Sequence, residues 1–394
     1  MSASAAPASR ALVTDERVQK LTLSEKASLL YVASVPFDGM DVGGRSLPFV
    51  VGAVYLTVSI LGRVVRGGRR GKRDLPIGRI VPMFLFTVYC TASYFWSLAP
   101  DLTIARVTTL FVLLLTSWFL SQDLSRISRA VPFAFIFGSL PVALLVLAAP
   151  ASLDNRRTAN GNANDVALML LLGVACSLWV SLSCSGKMRI FGLATMPILV
   201  IGTVATGSRT AVLGGAAMLL TVTVRFAWKH QWQRVVILLA LVALGAWFLP
   251  HLPAAMIPDR LSSIEVVLQG GSLSNRTYIW DAILERGFDL TGIGAGASPA
   301  YLGEAMGSQV VAHNVFLGVL LDTGLLGVML FLAILLKAGI HGRLSPYREL
   351  LSFMFPVLIA SSMALSLEAR RSLWFVITLA LVMRPREKTE TEDS

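Results

Sequence analysis

The chain has 394 residues, 55% hydrophobic and only 14% charged, with a formal net charge of +11 and a mean hydropathy of +0.70. A soluble domain carries about a quarter charged residues, so the composition excludes an ordinary soluble enzyme. The basic balance does not by itself point to nucleic acid, because lysine and arginine also set the orientation of membrane proteins.

Residues 1–23 are polar, carry Arg10, Arg17 and Lys20, and run into an apolar segment without a small-residue cleavage site. They read as a cytoplasmic tail rather than a cleaved signal peptide. Apolar segments then fall near 24–38, 47–63, 80–97, 104–120, 130–149, 165–183, 190–206, 210–226, 235–250, 312–336, 349–366 and 372–383. Each is near the about 20 residues that cross a bilayer as a helix, and none shows the alternation of an outer-membrane barrel. The predicted fold is an all-α, polytopic membrane helical bundle of about twelve transmembrane helices with one large extracytoplasmic loop. Helices 1–9 occupy residues 24–250, the loop residues 251–311, helices 10–12 residues 312–383, and a cytoplasmic tail residues 384–394.

Charge supports this alternation. With both termini in the cytoplasm, 24 of the 34 Lys and Arg residues fall on inner connections, seven of them from Arg63 to Arg79. Positive residues accumulate on the cytoplasmic side of short loops, so this majority specifies orientation and implies no nucleic-acid partner. The run from Arg63 to Arg73 could also touch anionic lipid heads. The outer connections hold nine arginines and no lysine: Arg45, Arg156, Arg157, Arg209, Arg260, Arg276, Arg286, Arg370 and Arg371. Arg106 sits near the outer end of the fourth span. Cys90, Cys176 and Cys184 lie in or at the ends of spans, without metal-binding spacing or a disulfide framework, and read as small buried hydrophobes. His230 and His341 read as solvated residues of inner loops. No metal or other cofactor is expected.

Chemistry belongs to the outer loop. Its start is broken by Pro253 and Pro258. Ser274 can cap a helix that ends at Gly287, with Arg276, Trp280 and Ile283 or Leu284 on one face, as in an amphipathic helix on a membrane surface. The glycine run from Thr291 to Ser298 could offer its amides to a phosphate or serve as a flexible connection. It fails the context of a dinucleotide-binding fingerprint because no strand of a βαβ unit precedes it. His313 stands at the mouth of the tenth span, as a general base or as a residue anchoring a helix end. Outer arginines can equally snorkel to lipid head groups. An acid in mid-span, Asp322, is costly and functional by default, although a structural bond to a neighbouring span would also account for it. Asp322 lies nine residues beyond His313, out of phase with it on one continuous helix.

Several segments together resemble the bacterial O-antigen ligase and polymerase family, which includes exopolysaccharide polymerases. The stretch Ala92–Asp101, with Ser93, Trp96, Pro100 and Asp101, looks like the family's signature after an early span. Thr206–Thr210 is similar to its Ser-Arg turn, carried here by Ser208 and Arg209. Asn275–Trp280 followed by Gly292, Gly294 and Gly296 looks like its Arg-x-x-x-Trp and glycine motif. His313–Leu317 with Asp322, Gly324 and Gly327 is similar to the histidine-asparagine start and acid-x-Gly continuation of the next span. The order agrees over about residues 85–336. One departure lies at Thr158–Asp165, where the family often has a glycine followed by Asn-Pro-Asn; the proline is missing and Asn164 stands in that place.

The resemblance implies a metal-independent glycosyltransferase of C-type fold. Its donor would be a polyprenyl-diphosphate-linked glycan, commonly on undecaprenyl diphosphate, at the outer face of the cytoplasmic membrane. The diphosphate leaving group needs its developing charge stabilised and the acceptor hydroxyl needs a base. Arginine suits the first because its planar fork pairs with phosphate oxygens. The implied catalytic residues are His313, Arg276 and Arg209. Arg156, Arg157, Asn164, Asn314, Arg370 and Arg371 are expected to bind substrate, with Arg370 alternatively pairing with Glu368. The shared motifs do not separate a polymerase, which extends a lipid-linked repeat unit, from a ligase, which uses a different final acceptor; polymerase is the reading preferred. Partners implied are the glycan donor and acceptor, membrane lipids, a chain-length regulator and a flippase. A transporter is the reading from another class, but only Asp322 offers an intramembrane ion site for it.

Overall fold

The computed structural model describes residues 21–42, 45–65, 77–150, 157–158, 161–236, 240, 276–307 and 310–383. The expectations for the two tails, for Arg156, Arg260 and the Ser274 cap, for the basic run 66–73 and for most of the span 235–250 lie outside these residues. Helix α1 is Leu23–Ser34, followed by a 3-10 turn Val35–Gly39 and a small hairpin, β1 Asp41–Val42 with β2 Arg45–Ser46. Then come α2 Leu47–Val65, α3 Ile77–Ala92, α4 Pro100–Asp123, α5 Ala130–Ala148, α6 Ala163–Ser183, α7 Gly186–Ala205 and α8 Arg209–Trp228. The outer loop contributes α9 Arg276–Glu285 and α10 Ser298–Met306, and the chain closes with α11 Val315–Gly342, α12 Arg348–Ser362 and α13 Arg371–Leu381.

Seven of these helices (α2, α4, α5, α6, α7, α8 and α11) are long and apolar enough to cross a membrane. This establishes a polytopic helical membrane protein. Four more predicted spans correspond to α1, α3, α12 and α13, which are shorter, at 12, 16, 15 and 11 residues. Their apolarity has a partly different cause. Every residue of α13 from Ser372 to Leu381 is buried, so its hydrophobic run faces protein. Helix α6 occupies the centre, with 78% of its most apolar stretch buried against 22% for α2. Lipid offers no hydrophobic drive for helix association, so close backbone approach at small residues takes its place. A Cβ at Gly138 of α5 would overlap the Ala33 carbonyl of α1, and one at Gly173 of α6 would come within 2.7 Å of Ser139 Oγ on α5.

The bundle has two chemically distinct ends. At one, Asp123 accepts from Tyr55 (3.0 Å) and pairs with Arg63 (3.3 Å), while Arg225 pairs with Glu349 (2.8 Å) and Tyr347 donates to the Leu124 carbonyl (3.0 Å). At the other, Met40 bridges Gly161, Arg157 N–H donates to Ala205 O (3.0 Å), Arg370 pairs with Asp165 (3.2 Å) and Arg371 pairs with Asp38. The segments that the alternation of spans assigns to one side gather at one end, and those of the other side at the opposite end.

Candidate active site

The site lies where the outer loop meets the start of α11. That span is not continuous: Gly324 has φ 64° and ψ −167°, which interrupts the helix. In an unbroken helix the N–H groups of Leu325 and Leu326 would bond the carbonyls of Leu321 and Asp322. Here Leu325 and Leu326 donate instead to Asp289 O (3.0 Å) and Leu290 O (3.2 Å), while Leu321 O and Asp322 O accept from Ile293 N (3.0 Å) and Gly294 N (2.8 Å). The loop thus replaces, bond for bond, what the break removes, which is the condition for irregular backbone in an apolar region.

The Asp322 carboxylate completes this joint. Its Oδ2 accepts from Gly296 N and its Oδ1 from Ser298 N, each at 2.8 Å, and Ala295 N donates to Ser93 Oγ at 2.9 Å. The amides from Ile293 to Ser298 are therefore taken up by the protein's own acceptors, and this stretch is neither an open phosphate nest nor a loose connection. Gly292 must be glycine, because at its φ of 69° a Cβ would lie 2.5 Å from Gly324 N. The signature after α3 supports the same loop: Leu98 N donates to Ile293 O (2.9 Å), Trp96 Nε1 to Thr291 O (3.3 Å) and Tyr89 Oη to Thr323 O (3.0 Å). Arg106, unassigned from sequence, pairs with Glu368 at 2.8 Å. Glu368 is therefore not the partner of Arg370.

Helix α9 is folded onto this base. Ile279 and Ile283 are buried with Ile293, Ala297, Leu302, Ala312 and Leu321, so this face packs on protein, while Tyr278 and Leu284 stay exposed. It ends at Gly287, whose φ of 84° supplies the left-handed position expected there. Trp280 Nε1 donates to Ala312 O at 2.9 Å. This pins the helix beside the residue preceding His313, and Arg276, one turn back on the same face as Trp280, comes within electrostatic range of the imidazole.

His313 itself has a left-handed backbone, φ 50°, uncommon for a residue other than glycine. It lies between the Trp280-bound Ala312 and the cap of α11. Asn314 Oδ1 accepts from Phe316 N (2.9 Å) and Leu317 N (3.2 Å), and its Nδ2 reaches Met363 O at 3.5 Å. The structure thus uses Asn314 as a helix cap. Burial, and secondarily the Arg276 charge, hold the half-buried His313 imidazole below the ordinary histidine pKa. A neutral imidazole can accept a proton.

Arg209 opens α8. The preceding turn is rigid: Gly207 has φ 64°, and Ser208 caps the helix by accepting from Ala211 N (3.3 Å) while donating to Asn164 Oδ1 (2.7 Å). A cation at a helix N-terminus adds to the partial positive charge of the free amides there, which suits an anion. Asn164 therefore adjoins the Arg209 turn, and its neighbour Asp165 holds Arg370. Arg371 is held by Asp38 and by Ser46 Oγ (3.0 Å), and Arg157 Nη1 donates to Leu147 O (2.7 Å). The structure brings His313, Arg276 and Asn314 together around the start of α11, and Asn164, Arg209 and Arg370 around the start of α8, at the same end of the bundle. Asp38 and Asp165 were not singled out as partners from sequence, and Glu368 was matched there to Arg370 rather than to Arg106, because these contacts cross from one connection to another. Among the described residues no group of three His, Cys, Asp or Glu side chains is placed to hold a metal ion.

Residues 194–332 match the family model described as O-antigen ligase. The matched stretch contains Arg209, Arg276, His313 and Asp322 and leaves Asn164, Arg370 and Arg371 outside it. No curated protein matches the chain.

Proposed function

The match over residues 194–332 supports membership of the O-antigen ligase and polymerase family, and from that premise we propose that the protein is a polysaccharide polymerase acting on polyprenyl-diphosphate-linked glycans at the outer face of the cytoplasmic membrane. The observation that carries the mechanism is the neutral-leaning His313 fixed beside Arg276 by the Trp280 bond to Ala312. The acceptor hydroxyl oxygen attacks the anomeric carbon of the donor sugar, and the hydroxyl proton passes to the His313 imidazole. The bond from that carbon to the diphosphate oxygen breaks, its electron pair leaving on the polyprenyl diphosphate. Arg276 and Arg209 stabilise this developing charge. Asn164 contacts substrate beside Arg209. Arg157, Arg370 and Arg371, whose guanidinium groups are bonded to Leu147 O, Asp165 and Asp38, line the substrate surface around them; Asn314 sets the His313 turn. The chemistry uses no metal.

The family model's own description favours a second reading, ligation to a different final acceptor. The lipid-linked glycans of a deletion strain separate the two. Accumulated single repeat units support the polymerase, whereas long chains stranded on the lipid carrier support the ligase. Purified protein in liposomes should lengthen a lipid-linked glycan without any ion gradient; a gradient requirement would favour transport instead. A chain-length regulator and a flippase are the partners this reading requires.

A further inference from the structure

We propose that the end of the bundle opposite His313 carries a binding site for one anionic phospholipid, in the cleft between the end of α11 and the start of α12. The cleft has a volume of about 460 Å³ and is lined by Gly339, Gly342, Arg343, Arg348, Leu351, Ser352, Phe355 and Pro356. That lies within the range of small-molecule sites, about 300–1,000 Å³. Its walls are apolar and its rim is basic, the pattern an amphiphile with a negative head complements.

Three features make this more than a gap between helices. Arg343 and Arg348 are both exposed, and neither guanidinium has a hydrogen-bond or ion-pair partner among the described residues. The nearest acid, Glu349, is already committed: its Oε1 accepts from Arg225 (2.8 Å) and its Oε2 from Ser183 Oγ (3.3 Å). The two cations therefore face the cleft uncompensated, and two arginines at one rim suit a phosphodiester. The cleft is also kept open by composition. A Cβ at Gly339 would meet nothing within 4 Å, whereas one at Gly342 would lie 3.5 Å from Leu351 and 3.6 Å from Phe355. Glycine at 339 leaves room for an acyl chain, and Leu351 and Phe355 supply the wall it lies on. Finally, Pro356 inside α12 has no N–H to give to Ser352 O, so that carbonyl is available to a head-group hydroxyl. The site is independent of the glycosyltransferase reading.

The test uses the full chain purified in detergent, with phosphatidylglycerol or phosphatidylcholine added and the lipid retained after delipidation read by native mass spectrometry. One phosphatidylglycerol per chain should be retained, with phosphatidylcholine, whose quaternary ammonium cancels the phosphate charge and which has no head-group hydroxyl for Ser352 O, retained at least about tenfold less, a difference of about 1.4 kcal/mol. R343Q/R348Q should abolish the preference. G339L, which leaves both arginines in place and fills the cleft, should abolish retention; lipid-free melting temperatures of both variants establish that they are folded. Equal retention of the two lipids, or full retention by folded R343Q/R348Q or G339L, overturns the site. A rise in melting temperature with inorganic phosphate equal to that with phosphatidylglycerol overturns the acyl-chain part, because the arginines alone would then account for binding.

Discussion

His313 owes its chemistry to its neighbours rather than to its residue type. Burial and Arg276 both disfavour the imidazolium, so the neutral base persists to lower pH than for a free histidine. The acidic limb of the pH–rate profile should accordingly fall below the ordinary value of about 6.5. Arg276→Gln removes a cation, raises the His313 pKa and should move that limb to higher pH, while Arg276→Lys should leave it nearly in place; identical profiles for both variants would separate Arg276 from His313. His313→Ala should lower turnover on the order of 10²–10⁴-fold, the usual range for a lost general base, as measured by extension of a lipid-linked glycan. Asn314→Ala should cost about 1 kcal/mol of stability, as for a lost helix cap, with Asn314→Ser restoring most of it in thermal melts. The histidine-asparagine pair was legible in the sequence. The capping role of Asn314 was not, because a cap is defined by the backbone amides it meets and not by residue type.

At the scale of the element, the broken span α11 ties fold to site. Gly324 adopts a conformation essentially restricted to glycine, and a Cβ there would lie 2.5 Å from Leu290 C. Gly324→Ala should destabilise the protein by at least about 2 kcal/mol, strain and overlap adding. Hydrogen exchange should rise first at the amides of Ile293 and Gly294. Asp322→Ala strands the buried amides of Gly296 and Ser298 and should cost about 2–6 kcal/mol, about 1–3 for each unsatisfied group. The sequence marks Asp322 as an intramembrane acid with a cost to justify. It does not show what justifies that cost, because the apolar run around it reads as one continuous helix. Helical phase then separates Asp322 from everything it holds. The acid-x-Gly spacing was the available signal: a glycine two residues beyond an acid permits the break, and the break exposes the carbonyls that the glycine run satisfies.

At the scale of the whole molecule, the polar contacts divide between two ends, and orientation follows if the arginine-rich end is extracytoplasmic. In a Cys184→Ser background, where Cys90 and Cys176 are buried, a cysteine replacing Phe288 (63% exposed) should react with an impermeant maleimide on intact cells. A cysteine replacing Trp228 (84% exposed) should react only after permeabilisation; the reverse pattern would invert the topology. The membrane class, the alternation of connections and the arginine-only set on the outer connections were all legible in the sequence alone. Transfer free energy is local and additive along a chain, and charge is counted without knowing what it touches. Only the tertiary structure decided which outer arginines are bonded to Asp165, Asp38 or a carbonyl, that the glycine amides are filled, and that α13 is apolar because protein surrounds it. Those outcomes depend on pairings between residues far apart in the chain, such as Arg106 with Glu368 and Arg371 with Asp38, and hydrophobic patterning carries no information about which partner an exposed backbone or side-chain group will meet.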